Sequence, residues 1–467
     1  MTTISQMMKK ATKSNPLIDV GIDLLKRIED LGYEAYIVGG SVRDIVLGNL
    51  KPHDIDLATN MPIQEIEKVF KTYNVGKSKD FGIVVIRHKE FDFEISNFRQ
   101  DGKYSDGRRP DDVEIVGDFK QDVTRRDFTI NALGLNSDGA IIDHVDGIID
   151  IQKRLVRAVG DPYKRFQEDH LRMIRAARFA APEDFSLEKK TREAIIILAD
   201  LINKVTPERI RMELVKAAEK PGPQFARFVL ILDDLTLLEK ILPEVACLKN
   251  YKHNPEHHPE GPTVMDHTIK CLEISDDPYL SKLAILFHDI GKSVTMKERD
   301  GQPTYHRHEL KSAEMTKEIC ERLKFSLDNS GILVDAIADH MKFHKILEMR
   351  PSKIARLVNS NHFDTLVDVA RADEHCRGEK FAYFSQFPDK IERAEEIKLR
   401  WEGRLTQKSN KLVSGNRIME IVGIKPGPTV GKIKRQVEDH IIDNELDPTD
   451  DKLMYELILR AFTMGGL

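Results

Sequence analysis

The sequence predicts an α/β domain at the front of the chain followed by an all-α remainder, and three observations carry that reading. Between residues 33 and 100, short β-rich runs alternate with helical stretches. Two of those runs, 83–87 and 91–95, are separated only by a tight turn around Lys89-Glu90. From residue 166 onward apolar residues recur at three- and four-residue spacing, with charged faces between them, and the strand signal fades.

Taken in order, Tyr36-Ile37-Val38 reads as a strand that runs into Gly39-Gly40-Ser41 and then a helix over 42–47. Asp54-Ile55-Asp56 sits on the next strand. After the 83–95 pair come a loop rich in Gly, Asp and Arg (101–112), the segment 125–133 and the apolar Ile141-Ile142, closing the α/β domain near residue 155. Pro182, Pro207, Pro221 and Pro223 punctuate the helical stretch from 166 to about 245. A Pro/His-rich connector (250–262) leads to a histidine-bearing helical block, and a last helical region contains the turn from Gly423 to Pro428. The expected parts are a head over 17–155, a neck over 156–245, a metal-binding domain over 263–380 and a tail over 391–467.

The length, 467 residues, suits two to four domains, and 40% hydrophobic with 32% charged residues describes a soluble globular protein. No apolar run approaches a membrane span. The first sixteen residues carry three lysines without an apolar core or a cleavage site. They read as a frayed leader, with organelle targeting as the alternative. Four scattered cysteines form no C-x-x-C pair, which argues for a reducing, cytoplasmic setting and against a zinc ribbon or disulfide framework. A net charge of -5 is not that of a nucleic-acid binder, so any RNA contact requires a local basic surface.

Two glycines where a strand enters a helix let the backbone approach a ligand, and free N–H groups there favour phosphate oxygens. Alone, such a turn is usually a plain connection. Asp54 and Asp56, at i and i+2 of a strand, point to one side. Carboxylates forced together repel unless a cation holds them, and Mg²⁺ takes such oxygens while sharing substrate phosphates. Asp92 and Glu94 share one face of their strand. Asp92 reads as a solvated edge residue, and Glu94 as the candidate third carboxylate.

The run Gly39-Gly40-Ser41-Val42-Arg43-Asp44 followed by Asp54-Ile55-Asp56 resembles the nucleotidyltransferase signature of the polymerase-β superfamily. More narrowly it resembles the bacterial-type (class II) tRNA nucleotidyltransferase and poly(A) polymerase family. Arg125-Arg126-Asp127-Phe128-Thr129-Ile130-Asn131-Ala132 matches the family's second motif, and Glu168-Asp169-His170-Leu171-Arg172 its nucleotide-selecting helix. Glu208-Arg209-Ile210 with Glu213 matches a later helix that supports the neck. The resemblance implies a polymerase-β-like head with a mixed sheet, an all-α neck, and addition of C, C and A to tRNA 3′ ends from CTP and ATP, with release of pyrophosphate. It implies Asp54 and Asp56 as Mg²⁺ ligands in a two-metal mechanism, and Glu94 as an aid to hydroxyl deprotonation. Gly39, Gly40, Ser41 and Arg43 fall at the triphosphate, and Arg125, Arg126 and Asp127 at phosphate or sugar.

Asp169, Arg172, Arg175 and Arg178 step by threes along one broad helix surface, ordinarily a solvated face. The resemblance makes Asp169 and Arg172 readers of the base edge. Cytosine and adenine both offer an amino donor beside an unprotonated ring nitrogen, so a carboxylate accepts from one and a guanidinium donates to the other. Uracil and guanine reverse that pattern. The loop from Tyr104 to Pro110 is intact, unlike the shortened loop of CC-adding relatives. Gly76 to Gly82 lacks the arginine-rich stretch of poly(A) polymerases. A-only addition stays open.

Further on, His267, His288-Asp289, His308, His340 and Asp373 resemble the metal-dependent HD phosphohydrolase superfamily. Imidazoles and carboxylates gathered from several helices suit a divalent transition metal that activates water. The alternative is an HD fold with a degraded site. His253, His257 and His258, in the connector, read as solvent-exposed. The tail, with Lys425, Lys432, Lys434 and Arg435, reads as a tRNA backbone contact or an ordinary basic face. Besides the transferase, two other classes compete: a chain that is mainly an HD phosphohydrolase, and an inert RNA-binding relative. Oligomeric state is not legible.

Overall fold

In the computed structural model the described residues are 15–49, 52, 54–73, 82–102, 113–253, 258–376, 382–401 and 413–464. The loop from Tyr104 to Pro110, residues 76–81 and His257 lie outside them. The chain divides into two compact units, one made of residues 1–217 with 224–243 and the other of 218–223 with 244–467.

The first unit is built on a mixed sheet. Its strands are β1 (Ala35–Val38), β2 (Asp56–Thr59), β3 (Lys71–Tyr73), β4 (Ile83–His88), β5 (Phe91–Asn97), β8 (Gly134–Leu135) and β9 (Ile141–Ile142), with β6 (Arg99–Asp101) and β7 (Val113–Ile115) pairing apart from it. The order is β3-β4-β5-β2-β1-β8-β9, and only the central pair β2–β5 is parallel. The helix Pro16–Glu29 starts on an Asn15 cap and buries Ile18, Leu24, Leu25 and Ile28 completely. Lys89, at φ +52, makes the tight turn between β4 and β5.

Strand pairing continues where the sequence predicts only helices. β10 (Leu155–Val156) pairs in parallel with β11 (Ser186–Leu187), a contact too short to leave a period-two pattern. In the second unit β12 (Lys297–Arg299) and β13 (Gln302–Thr304) form a hairpin whose turn, Asp300-Gly301, has positive φ at both positions.

The rest of the second unit is helical. Val264–Glu273 opens on a reciprocal capping box between Thr263 and Asp266. Tyr279–Phe287 is buried on all sides over Leu283 to Phe287, which explains its continuous apolar run. His308–Arg322, Leu327–Phe343 and Phe363–His375 supply the remaining walls. Ala382–Trp401, Gly415–Val422, Pro428–Asp443 and Asp451–Met464 follow, and Trp401, Ile418, Ile433, Val437, Ile441 and Ile458 share one apolar cluster. Among the described residues no helix is long and apolar enough to cross a membrane.

Candidate functional site

In the first unit β1 turns at Gly39, whose φ of +79 suits glycine, and a Cβ there would stand 3.9 Å from Asp56 Oδ2. Ser41 is buried and donates its hydroxyl to Val38 O. Asp56 opens β2, paired with Val38 on one side and Glu94 on the other. Asp54 lies just before that strand and not within it, because β1 has already turned away and leaves it no partner. All three carboxylates are on exposed residues. Although the residue as a whole is exposed, local burial of the Asp56 carboxyl, then the negative charges of Glu94 and Asp54, push it up to about 6, against the pull of Arg126. Mutually repelling oxygens of this kind fit a divalent cation.

The surrounding arginines are held by acids. Asp122, fully buried, takes Arg125 Nε at 2.8 Å and Arg126 Nη2 at 2.8 Å. Burial alone would push its carboxyl up, but the two guanidiniums outweigh it and hold it low. Asp127 is likewise held low by Arg175 (2.6 Å) against its own burial, and Arg178 Nε lies 2.6 Å from Glu213. Arg43 Nη1 donates to Asn131 Oδ1 at 2.6 Å. Arg43, Arg175 and Arg178 gather around one ring, Phe179, at 5.0, 5.3 and 4.4 Å.

Asp169 and the arginines do not share one helix. Asp169 ends the helix Pro162–Glu168 in an extended conformation, and Arg172 begins the next, Arg172–Phe179. The cause is local: the Asp169 carboxylate accepts from Leu171 N and from both Nη groups of Arg209, at 3.0 and 2.7 Å. Arg172 is buried, donating to Glu168 Oε2 (2.9 Å), Arg165 O and Arg125 O (2.8 Å). Asp92 is exposed and paired side-on with Arg87.

In the second unit His267, His288, Asp289, His308, His340 and Asp373 come together and are buried. His267 Nε2 lies 3.1 Å from Asp373 Oδ1 and 3.7 Å from Asp289 Oδ2. His308 Nε2 lies 3.3 Å from His340 Nε2. His288 and His340 donate Nδ1–H to the carbonyls of Ile285 and Ile337, which turns each Nε2 inward. His288 Nε2 and Asp289 Oδ1 are buried without a well-aligned hydrogen bond, although His288 Nε2 lies 3.3 Å from Asp289 Oδ2 and His308 Nε2 3.2 Å from Asp289 Oδ1. Orphaned imidazole and carboxylate atoms converging on one space are a donor set for a divalent metal. Behind Asp373 stands a buried relay: His344 bridges Asp373 (2.8 Å) and Glu374 (2.6 Å), and Lys390 Nζ reaches Glu374 at 2.6 Å. Burial opposes a charge on His344, but the two carboxylates raise it to about 9.

The connector departs from expectation. His253 and His258 are not solvent-exposed: His253 is buried, stacked on His258 at 3.6 Å, and His258 Nδ1 contacts Glu260. Asp122, Glu260, His344 and Glu374 were invisible to motif reading, and Arg209, part of the Glu208-Arg209-Ile210 motif, was not linked to Asp169. Only His344, four residues after His340 on the same face, and Cys271 and Cys376, one turn beyond His267 and Asp373, had a usable spacing.

Residues 35–157 match the model of the Poly A polymerase head domain, 184–248 that of the "Probable RNA and SrmB-binding site of polymerase A", and 263–377 the HD domain. Two relatives named CCA-adding enzyme align over nearly the whole chain at 31% identity. The Lactococcus lactis protein covers 91% of this chain and 92% of its own length, and that of Lactobacillus helveticus 96% and 98%. The CCA-adding enzyme of Lactobacillus gasseri is 42% identical over 54% of this chain, so this chain spans 61% of that relative in the match. In fold, the chain is similar to the Bacillus stearothermophilus CCA-adding enzyme in complex with CTP, at a TM-score of 0.68 and 24% identity, covering 97% and 99% of the two chains.

Proposed function

The chain belongs to the family of CCA-adding enzymes, and from that premise we propose that it adds C, C and A to tRNA 3′ ends from CTP and ATP without a nucleic-acid template. The observation that supports the proposal is Asp56 paired with Glu94 across the central β2–β5 strands, with Asp54 near enough to add its charge, in the same unit as the Arg43/Arg175/Arg178 cluster. Asp54 and Asp56 would hold Mg²⁺, which when bound supplies charge neutralisation at the reacting phosphate and at both the attacking and leaving oxygens. Arg43 would meet the triphosphate, with Arg175 and Arg178, held by Asp127 and Glu213, beside it. Glu94, beside Asp56, accepts the proton of the RNA 3′-hydroxyl, and pyrophosphate leaves.

Base reading is compatible with the valences left over. Asp169 accepts three hydrogen bonds and retains a lone pair for an exocyclic amino group. Arg172 keeps its Nε–H for a ring nitrogen. On this reading the partners are tRNA, CTP and ATP, the setting is cytoplasmic, and the parts are the head (17–155), neck (156–245), HD domain (263–380) and tail (391–467).

A second reading, favoured by the orphaned His288 Nε2 and Asp289 Oδ1, gives the HD domain a divalent transition metal and a phosphohydrolase side activity.

The test offers tRNAs ending before CCA, after C and after CC to the full chain with CTP, ATP or both. Ordered completion of all three ends is the expected result. Extension of only the CC end would make this an A-adding enzyme, and long A tails a poly(A) polymerase.

A further inference from the structure

We propose that Glu260, in the connector, is a positioning residue of the HD centre whose carboxylate holds the His267 ring so that Nε2 faces Asp289 and Asp373. The proposal rests on the metal-site reading above.

The connector is folded back by its own backbone. His253 N donates to Pro262 O and Val264 N to Tyr251 O, both at 2.9 Å, and Lys252 bridges Thr263. This returns Glu260 to the start of the helix that carries His267. Gly261 lets it lie there, since a Cβ would meet Asp266 Cβ at 2.3 Å. Asp266 in turn locks Thr263 through its N–H (2.9 Å) and hydroxyl (2.7 Å), setting the helix start one turn before His267.

Glu260 Oε1 lies 2.6 Å from His267 Nδ1 and 2.8 Å from His258 Nδ1, in a side chain 1% exposed. An ionised carboxylate only accepts, so both rings donate Nδ1–H to it. That choice turns Nε2 of His267 toward two carboxylates at 3.1 and 3.7 Å, with Cys271 Sγ at 3.6 Å. Nε2 among carboxylate oxygens needs a cation beside it, a proton or a metal ion; with Nδ1–H committed to Glu260, Nε2 is the nitrogen left to take the metal. His253, stacked on His258 at 3.6 Å, roofs the arrangement. Cys376 Sγ also lies near His267 Nδ1, at 3.3 Å, but it donates to Asp373 O.

Full-length wild-type protein, E260Q, E260A and D289A are stripped of metal and titrated with Co²⁺, followed by visible absorption and equilibrium dialysis. Nucleotide addition serves as the folding control. We expect D289A to lose the tight site and E260A to bind about 10- to 100-fold more weakly. E260Q, which keeps an acceptor for Nδ1–H, should fall between E260A and wild type, and nucleotide addition should be unchanged in both. Equal affinity in wild type and E260A overturns the role of Glu260 alone, as does E260Q binding no better than E260A. If E260A does not fold, the near-isosteric E260Q decides: a measurable weakening supports the role and none overturns it. A wild-type protein with no Co²⁺ site sensitive to D289A overturns the metal reading and this role with it.

Discussion

On and just before the central strands of the head sheet Asp54, Asp56 and Glu94 are exposed residues, whereas in the HD domain Asp289 and Asp373 are 1% and 3% exposed and enclosed by imidazoles. The head cluster can answer its own repulsion by taking up a proton: local burial of the carboxyl and the charges of Glu94 and Asp54 raise Asp56 to about 6. The HD donors have no such outlet. His288 Nε2 and Asp289 Oδ1 are cut off from water and have only imidazole–carboxylate contacts, at 3.3 and 3.2 Å, that do not form well-aligned hydrogen bonds. An exposed, self-repelling cluster suits an ion that arrives and leaves with a substrate, and a buried, orphaned one suits a resident ion.

The largest expected effects separate the two centres. D54A/D56A should lower nucleotide addition by about 10³-fold or more, roughly 4 kcal/mol in the barrier, and leave the thermal midpoint unchanged. H288A/D289A should do the reverse, sparing addition and abolishing metal retention. Chelation should destabilise the wild-type second unit by about 3 kcal/mol, the value for an ion held a few hundred-fold above its Kd. Calorimetry with and without EDTA, alongside primer-extension rates, checks both. A first double variant that still extends RNA at the wild-type rate would overturn the assignment of the head site.

How much of this was legible depended on whether the signal was local. The strand-to-helix turn at Gly39, the D-x-D and the β4–β5 pair follow from adjacent residues, and the HD ligands from adjacent His288-Asp289 plus imidazoles on helical faces. Asp169 was misplaced because its own carboxylate, capturing Leu171 N and Arg209, stops a helix that propensity would continue. Glu260 and His253 were hidden because a Pro/His-rich connector looks solvated, and nothing within ten residues says that it folds back on His267. The β12–β13 hairpin had a signal, Asp300-Gly301, but its flanks are too polar to read as strands. Asp122 lacked any signal, since its partners Arg125 and Arg126 read as ligand contacts.

Smaller effects are expected in Asp169 and Arg172, the pair proposed to read the base, where burial again sets the scale. Arg172→Ala removes a buried guanidinium and takes a donor from Arg125 O and from Glu168, which keeps Arg165, costing about 1–3 kcal/mol of stability. Asp169→Ala breaks a partly solvated pair with Arg209 and should cost about 1 kcal/mol or less. Both should relax the preference for CTP and ATP over UTP and GTP at least about tenfold. Urea melts and incorporation ratios with all four nucleotides separate the two consequences. Unchanged ratios would remove Asp169 and Arg172 from base selection.

The smallest effect is expected two residues from Glu94. Asp92 shares its strand face but lies flat against the sheet, bonded by both oxygens to Arg87 across the β4–β5 pair. Arg87 holds its carboxyl below the usual range. A carboxylate tied sideways to a neighbouring cation in open solvent neither joins the Asp54/Asp56 cluster nor contributes much to stability. D92N should therefore leave the melting temperature unaltered and turnover within about twofold of wild type, while E94Q lowers turnover well beyond that. Equal losses in the two variants would mean that the whole strand face, and not the register that sets Glu94 beside Asp56, governs the head site.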